Sequence, residues 1–220
     1  MSLSFTELSR IARRDAKLRF DHIGDGSNPL DAIYVLFESV LKFCIYNYDR
    51  YVERKEISIT VNDAFHKTPS QIEINVNGKA LPLPSRYLYR TAADSYDIHE
   101  FLMSPKGLAN SDIELSLSRV NALSEFFLIG FKNNHMESIL KYEHQSDFFD
   151  LVETEEKDGV FIKFIPDTEV FGKCFYKIEC LIPIIARHAI NCSNVAVTLK
   201  EGWNGEPIIF EPVKTKELSE

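Results

Sequence analysis

Residues that can bind metal ions occur in this chain, but they do not recur at ligand spacing. The sequence contains four cysteines and six histidines, and none of the cysteines forms a CxxC pair. The histidines show no HxxxH or HExxH spacing, which would place two imidazoles on one face of a helix. We therefore expect no metal site. Because no signal peptide is recognisable either, we interpret the cysteines as reduced thiols of a cytoplasmic protein.

One acid–base pair has a spacing that brings its side chains together. Glu38 and Lys42 are four residues apart in a segment whose apolar residues recur at three- and four-residue steps. Both side chains therefore lie on one face of a predicted helix. Asn28 and Pro29 mark its start, since asparagine is a favoured N-cap and proline a favoured first helical residue. Taken alone, the pair predicts an exposed ion pair worth roughly 0.3 kcal/mol.

The elements that position these residues are helices and alternating strands. The sequence predicts helices over residues 4–19, 29–48, 98–103, 115–123 and 180–188. Strands are predicted over 57–61, 71–76, 125–132, 136–142, 148–153, 160–164 and 195–199. This order indicates an α+β fold, a two-layer sandwich with helices on one face of a mixed, mostly antiparallel sheet. We predict a single domain over residues 1–205 and a polar C-terminal tail over residues 206–220.

Charge and hydropathy disfavour two classes of partner. The net charge of −8 opposes nucleic-acid binding driven by counterion release, so direct DNA binding is not expected. Basic residues cluster only within residues 10–19, where a phosphate-binding patch and a solvated helix face both remain possible interpretations. No apolar run reaches the length of a membrane span, so no membrane association is expected.

Two motifs in the C-terminal half carry a family resemblance. The first is Arg119-Val-Asn-Ala-Leu-Ser-Glu-Phe126, and the second is Lys157-Asp-Gly-Val-Phe-Ile-Lys-Phe-Ile-Pro-Asp-Thr-Glu-Val-Phe-Gly172. In order and spacing they resemble the third nucleotide-binding motif of DNA gyrase B and topoisomerase IV B subunits and the segment that follows it. The N-terminal half is collinear, with Ile23-Gly-Asp25, Leu36-Phe-Glu38 and Asn77-Gly-Lys-Ala-Leu-Pro82 at the family's other motif positions. The resemblance covers roughly residues 17–200 and implies a GHKL-type (Bergerat) ATPase fold.

The resemblance gives the acid–base pair a second meaning. The family's general base, which orients the attacking water, falls on Glu38, and its Mg²⁺-binding asparagine falls on Lys42. An ammonium group at this position repels a divalent cation. It can also pair with Glu38 and so occupy the carboxylate that should accept a proton from water. Glu38 is therefore interpreted as the remnant of a general base, in a pair that does not support catalysis.

The adenine-recognition motif is only partly retained under the same resemblance. The aspartate that accepts the adenine amino hydrogen falls on Val76, which has no acceptor atom. A buried amino group left unsatisfied in this way costs roughly 1–3 kcal/mol. Asn77 and Gly78 match the family, although Asn-Gly is also a common turn dipeptide.

The phosphate-binding and adenine-side positions are also changed. The glycines that let backbone N–H groups close on the phosphates fall on Glu114 and Ser116, and a carboxylate there repels a triphosphate. The adenine-side threonine falls on Phe161, whose ring would fill the base pocket or act as an inward strand residue. If the alignment is right, the side chains at these positions converge between helices and sheet: Glu38, Lys42, Val76, Ser116 and Phe161.

Three functions follow from these substitutions. The first is a degenerate gyrase B-like domain, a pseudo-ATPase that neither binds nor hydrolyses ATP, needs no cofactor and works as a binding or regulatory module. Its partner is then a protein, with a topoisomerase subunit as the candidate because the fold can mimic one. The second is a divergent but working ATP- and Mg²⁺-binding domain of a type II topoisomerase B subunit. The third is a remodelled pocket that binds another small ligand.

Overall fold

The computed structural model describes residues 29–46, 54–62, 70–77, 117, 120–121, 123–133, 136–143, 146–153, 159–172, 175–202 and 204–212. Several predictions concern other parts of the chain and lie outside the described residues. They include the helices at 4–19 and 98–103, the basic cluster at 10–19, the motif segment Ile23-Gly-Asp25 and the positions Gly78, Glu114 and Ser116.

Three helices and eight strands have defined bounds among the described residues. The helices are α1 (Pro29–Tyr46), α2 (Thr168–Phe171) and α3 (Ile178–Ala189). The strands are β1 (Lys55–Asn62), β2 (Gln71–Asn77), β3 (Ser124–Asn133), β4 (Met136–Glu143), β5 (Ser146–Glu153), β6 (Gly159–Pro166), β7 (Val195–Glu201) and β8 (Ile208–Phe210). Leu117, Val120 and Asn121 are also helical, within the helix predicted at 115–123.

The eight strands form one mixed sheet with the order β5-β4-β3-β6-β2-β1-β7-β8. β1 and β7 run parallel. The other described strand pairs are antiparallel. The prediction of a mixed, mostly antiparallel sheet is therefore confirmed.

The core lies between the helices and one face of this sheet. In β1 every second residue is buried, and the register places Ile57, Ile59 and Val61 opposite buried residues of β2. From α1, five apolar side chains with no exposed surface enter the same core: Ile33, Phe37, Val40, Leu41 and Cys44. α3 adds Leu181 and Ile185. The helices therefore cover one sheet face, as the apolar periodicity predicts.

Hydrogen bonds from other elements hold α1 near both of its ends. Near the start, the hydroxyl of Tyr176 donates to the carbonyl of Ile33 at 3.0 Å. Near the end, the ammonium group of Lys55 donates to the carbonyl of Ile45 at 2.7 Å. The last turn of α1 has no basic residue, and Lys55 in β1 is only 3% exposed. Lys55 thus supplies the positive charge that stabilises the C-terminal end of a helix dipole.

Two short elements differ from the sequence predictions. α2 is a four-residue helix that starts after Asp167, whose carboxylate accepts a hydrogen bond from the backbone N–H of Glu169 at 2.8 Å. β8 lies inside the predicted polar tail and pairs with β7, so residues 208–210 belong to the sheet. Neither element is long enough to show a periodic pattern, and β8 is defined by its pairing with β7.

Candidate functional site

α1 carries Tyr34, Glu38 and Lys42 at four-residue steps, and the first two contact α3 or the residue that precedes it. The first, Tyr34, accepts a hydrogen bond at its hydroxyl oxygen from the backbone N–H of Lys177, the residue that precedes α3. Burial raises the pKa of Tyr34 to about 12, so the hydroxyl is neutral at physiological pH. The second, Glu38, contacts Arg187 and His188 in the last turn of α3. The Tyr34–Glu38 flank of α1 therefore holds α3 near both of its ends.

One oxygen of Glu38 is shared by three basic side chains, which together form the Glu38 cluster (Glu38, Lys42, Arg187 and His188). Its Oε1 atom lies 3.1 Å from Lys42 Nζ, 3.1 Å from Arg187 Nη2 and 2.8 Å from His188 Nε2. The side chains of Lys42 and Arg187 are 46% and 60% exposed, whereas those of Glu38 and His188 are 22% and 10% exposed. The carboxylate therefore lies below the surface, beneath two exposed cations.

Opposing effects act on the pKa of Glu38. Burial alone would raise it, because a charged carboxylate is less stable away from water. Hydrogen bonds from His188 and Lys42 lower it, and so do the charges of Lys42 and Arg187. The balance leaves the pKa of Glu38 below its ordinary value, so the carboxylate is ionised at neutral pH. An ionised carboxylate only accepts hydrogen bonds, and Nε2 of His188 therefore carries the hydrogen of this contact.

The lowered pKa predicts how the cluster contributes to stability at low pH. A carboxylate with a depressed folded-state pKa stabilises the native state at pH values above its unfolded-state pKa, and this contribution disappears as pH falls through the folded-state pKa. We expect the stability advantage of wild type over Glu38→Gln to shrink as pH falls from neutral through the acidic range in which carboxylates become protonated. Urea unfolding of both proteins across this range measures it. A difference that stays constant with pH would contradict the contribution assigned to the cluster.

Val76 faces the core from β2 and lies opposite Val160 of β6. Both side chains are buried, and Ile74 and Ile162 form the next inward-facing pair along the two strands. This part of the sheet therefore presents aliphatic side chains to the helix layer, and none of these four side chains can accept a hydrogen bond. Asn77, at the end of β2, is exposed and pairs with Gly159.

Phe161 does not share a sheet face with Val76. It pairs with Asn75 in β2 and with Gly130 in β3, while the residues on either side of it, Val160 and Ile162, point into the core. Successive side chains of a strand project to opposite faces, so Phe161 projects from the face away from the helices. The predicted convergence of Phe161 with the other site residues is therefore wrong. Val160 occupies the inward-facing position that was predicted for Phe161. An offset of one residue in a strand produces this reversal.

Comparisons with known proteins agree with this architecture. No family model matches the chain. The B subunit of DNA topoisomerase 4 from Borreliella burgdorferi (strain ATCC 35210 / DSM 4680 / CIP 102532 / B31) is 26% identical over 186 residues, which are 81% of this chain and 28% of that protein. The crystal structure of the 43K ATPase domain of Thermus thermophilus gyrase B, in complex with an aminocoumarin, superimposes with a TM-score of 0.70 and 15% identity, over 91% of this chain and 51% of that one.

The fold is that of a gyrase B-type ATPase domain. The fold implied by the sequence resemblance is therefore confirmed. The chain spans about half of the gyrase B structure and less than a third of the topoisomerase protein. At these levels of identity and coverage, the comparisons establish the fold of this chain.

Within the gyrase B-like fold, the structure joins some predicted site residues and separates others. Glu38 and Lys42 form the ion pair that their spacing predicts. Val76 is matched with Val160 across the sheet, and Phe161 lies on the opposite face. No group of three or more His, Cys, Asp or Glu side chains suited to a metal ion occurs in the described part of the chain. In the same residues, no helix combines the length and apolar character needed to cross a membrane.

Arg187 and His188 belong to the site but were not among the residues predicted from the sequence. His188 is 150 residues away from Glu38 along the chain, and only the packing of α3 beside α1 brings the two together. The one sequence signal is a pair of basic residues in the last turn of a predicted helix. That pattern predicts a favourable interaction with the helix dipole and does not identify a carboxylate partner.

Gly159, which the sequence analysis included only as part of a motif, has a structural role beside Val76. A side chain at this position would overlap the backbone carbonyl of Val76. Backbone atoms cannot move aside without shifting the strand, so the close pairing of β2 and β6 requires glycine here. The close pairing of β2 and β6 therefore explains why this motif position holds a glycine.

Proposed function

We propose that this chain is a non-catalytic relative of the gyrase B ATPase domain, a pseudo-ATPase that works in the cytoplasm as a binding or regulatory module. The single observation that carries the proposal is the Glu38 cluster. The residue at the family's general-base position shares one carboxylate oxygen among three basic partners, two of which come from another helix.

A general base must be able to take a proton from water within hydrogen-bond distance. The pKa of Glu38 is held below its ordinary value, which makes the carboxylate a weaker base than an unperturbed glutamate. Lys42, in place of the asparagine that binds Mg²⁺ in the family, adds a positive charge 3.1 Å from the same oxygen. This charge opposes the approach of a divalent cation. Both effects argue against metal-dependent ATP hydrolysis.

The packing of Val76 supports the loss of nucleotide recognition. The family's adenine acceptor falls on this residue, whose side chain lies against the sheet partner Val160 and is 1% exposed. An adenine amino group placed there would lose its bonds to water and gain none from the protein. Such an unsatisfied group costs roughly 1–3 kcal/mol, which reduces affinity by a factor between about five and more than about one hundred.

The alternative is a working ATP-binding domain of a divergent type II topoisomerase B subunit. It is favoured by the similarity to the DNA topoisomerase 4 protein and by the presence of a glutamate at position 38. Asn77, at the end of β2, is also retained. Under this alternative the chain uses ATP and Mg²⁺, and the Glu38 cluster has to open before the carboxylate can act.

Isothermal titration calorimetry with ATP and ADP in the presence of Mg²⁺ separates the two proposals. We expect no detectable binding at nucleotide concentrations on the order of 1 mM. Any binding free energy would therefore be weaker than about −4 kcal/mol, the value for a dissociation constant of about 1 mM. An active gyrase B ATPase domain titrated in parallel serves as the positive control. A dissociation constant on the order of 1 μM would overturn the pseudo-ATPase proposal and support the alternative.

The partner we propose is a protein, with a type II topoisomerase subunit as the candidate. The support is the gyrase B-like fold, which gives the chain a backbone shape similar to that of a topoisomerase ATPase domain. The net charge of −8 makes nucleic acid a less favourable direct partner. A nucleotide-independent complex with purified topoisomerase subunits of the source organism, detected by size-exclusion chromatography, is the expected result. Absence of any such complex would remove the topoisomerase candidate.

A further inference from the structure

We propose that Glu38 is a structural latch that fixes the C-terminal turn of α3 onto α1, and that the contacts forming the latch occupy its carboxylate oxygen Oε1. This inference deepens the proposed function, because it gives the residue at the general-base position a different task. It rests on the geometry of the Glu38 cluster and on where each partner sits in the fold.

The three contacts of Glu38 are not equivalent. Lys42 lies one turn further along α1, so its contact with Glu38 stays within one helix. Arg187 and His188 lie on α3, so their contacts join two helices. Only the contacts with α3 can resist separation of the helices. Of the two residues, His188 is the more deeply buried, with 10% of its side chain exposed.

A second contact holds the other end of α3. The backbone N–H of Lys177 donates to the hydroxyl of Tyr34, one turn before Glu38 on α1. The ring of Tyr34 also meets the ring of Tyr176 edge to face, with centroids 5.8 Å apart. Polar contacts thus attach α3 to α1 just before its first turn and in its last turn, and those in the last turn belong to the Glu38 cluster.

The end of α3 leads directly into the sheet. The backbone N–H groups of Ile190 and Cys192 donate to carbonyls of Ala186 and Ala189, and this turn precedes β7. Asn194 then accepts a hydrogen bond from the backbone N–H of Lys55 at the start of β1, at 2.8 Å. Loss of the latch is therefore expected to loosen the Ile190–Cys192 turn, whose amide hydrogens report on it.

Hydrogen exchange followed by NMR, without nucleotide, tests the latch. We expect Glu38→Gln to speed the exchange of the Ile190 and Cys192 amides by about ten-fold and Arg187→Gln by about three-fold, because both changes weaken the link to α3. Lys42→Gln is the matched control. It removes one cation at the same 3.1 Å distance from the same oxygen, but it leaves the link between the helices intact, so exchange should match wild type.

The same samples show whether each substitution changes the electrostatic environment of the Glu38 carboxylate. The pKa of Glu38, followed through its side-chain carbon shift, should rise in both Lys42→Gln and Arg187→Gln, since each removes a charge that lowers it. The latch would be overturned if the Ile190 and Cys192 amides exchanged at the wild-type rate in Glu38→Gln. It would also be overturned if their exchange rates were equal in Lys42→Gln and Arg187→Gln. Arg187 is exposed, so its substitution keeps the test valid even if Glu38→Gln does not fold. Nucleotide binding by wild type would overturn the proposed function and leave the latch standing.

Discussion

Replacing Val76 with aspartate is expected to destabilise the domain by about 3–5 kcal/mol without creating a nucleotide site. In the family, aspartate at this position accepts the adenine amino hydrogen. Here the side chain is 1% exposed and lies against Val160 in the core. An aspartate would bury a carboxyl group among aliphatic side chains that offer no hydrogen-bond donor. Urea unfolding monitored by circular dichroism measures the loss, and calorimetry with ATP and Mg²⁺ tests for a restored site.

The neighbouring residue provides the matched control for this change. Asn75 lies one position away on the same strand, but it is exposed and projects from the opposite face of the sheet. Asn75→Asp introduces the same carboxylate and should change stability by less than about 0.5 kcal/mol. A Val76→Asp protein as stable as wild type that also binds ATP would show that a polar cavity lies beside β2. That result would favour the working ATPase over the pseudo-ATPase.

Replacing Lys55 with alanine is expected to destabilise the protein by about 2–4 kcal/mol. The ammonium group of Lys55 is the donor to the carbonyl of Ile45 at the end of α1, where the last turn has no basic residue of its own. Alanine leaves this carbonyl without its donor and removes the buried aliphatic stem. Thermal and urea unfolding measure the loss.

Lys55→Met separates the contribution of the ammonium donor from that of the buried aliphatic stem. Methionine keeps most of the stem volume and removes only the charged donor, so we expect a smaller loss of about 1–3 kcal/mol. Equal stability of Lys55→Met and wild type would mean that the cost of burying the ammonium group cancels its hydrogen bond and its interaction with the helix end. In that case the role we assign to Lys55 in fixing α1 would be limited to packing.

The predictions that succeeded depend on local pattern. The helix predicted from Pro29 carries apolar residues at helical steps, and residues Pro29–Tyr46 are helical in the structure. The strand around Ile57–Val61 alternates between buried and half-exposed residues, as its sequence predicts. Such periodicity indicates which face of an element meets the core, and it can be recognised without knowing which element packs against that face. β8 has three residues and lacks this signal.

The predictions about the site were harder, because they depend on contacts distant in sequence. The Glu38–Lys42 contact follows from helical spacing and was predictable. The contacts of the same carboxylate with Arg187 and His188 depend on how α3 packs, and no local pattern encodes them. The error at Phe161 has a different origin. A motif alignment that is shifted by one residue still looks correct in sequence, but in a strand it exchanges the two faces.

The amino-acid sequence alone is enough to predict the longer helices and strands, the layered fold class and the residue types now present at the family's nucleotide-binding positions. This is so because hydrophobic periodicity and motif order are local properties of the chain. Long-range packing, by contrast, places Val76 opposite Val160, turns Phe161 to the other side of the sheet, and brings three basic side chains to one oxygen of Glu38. These facts arise from strand register and helix packing, which bring together residues as much as 150 positions apart.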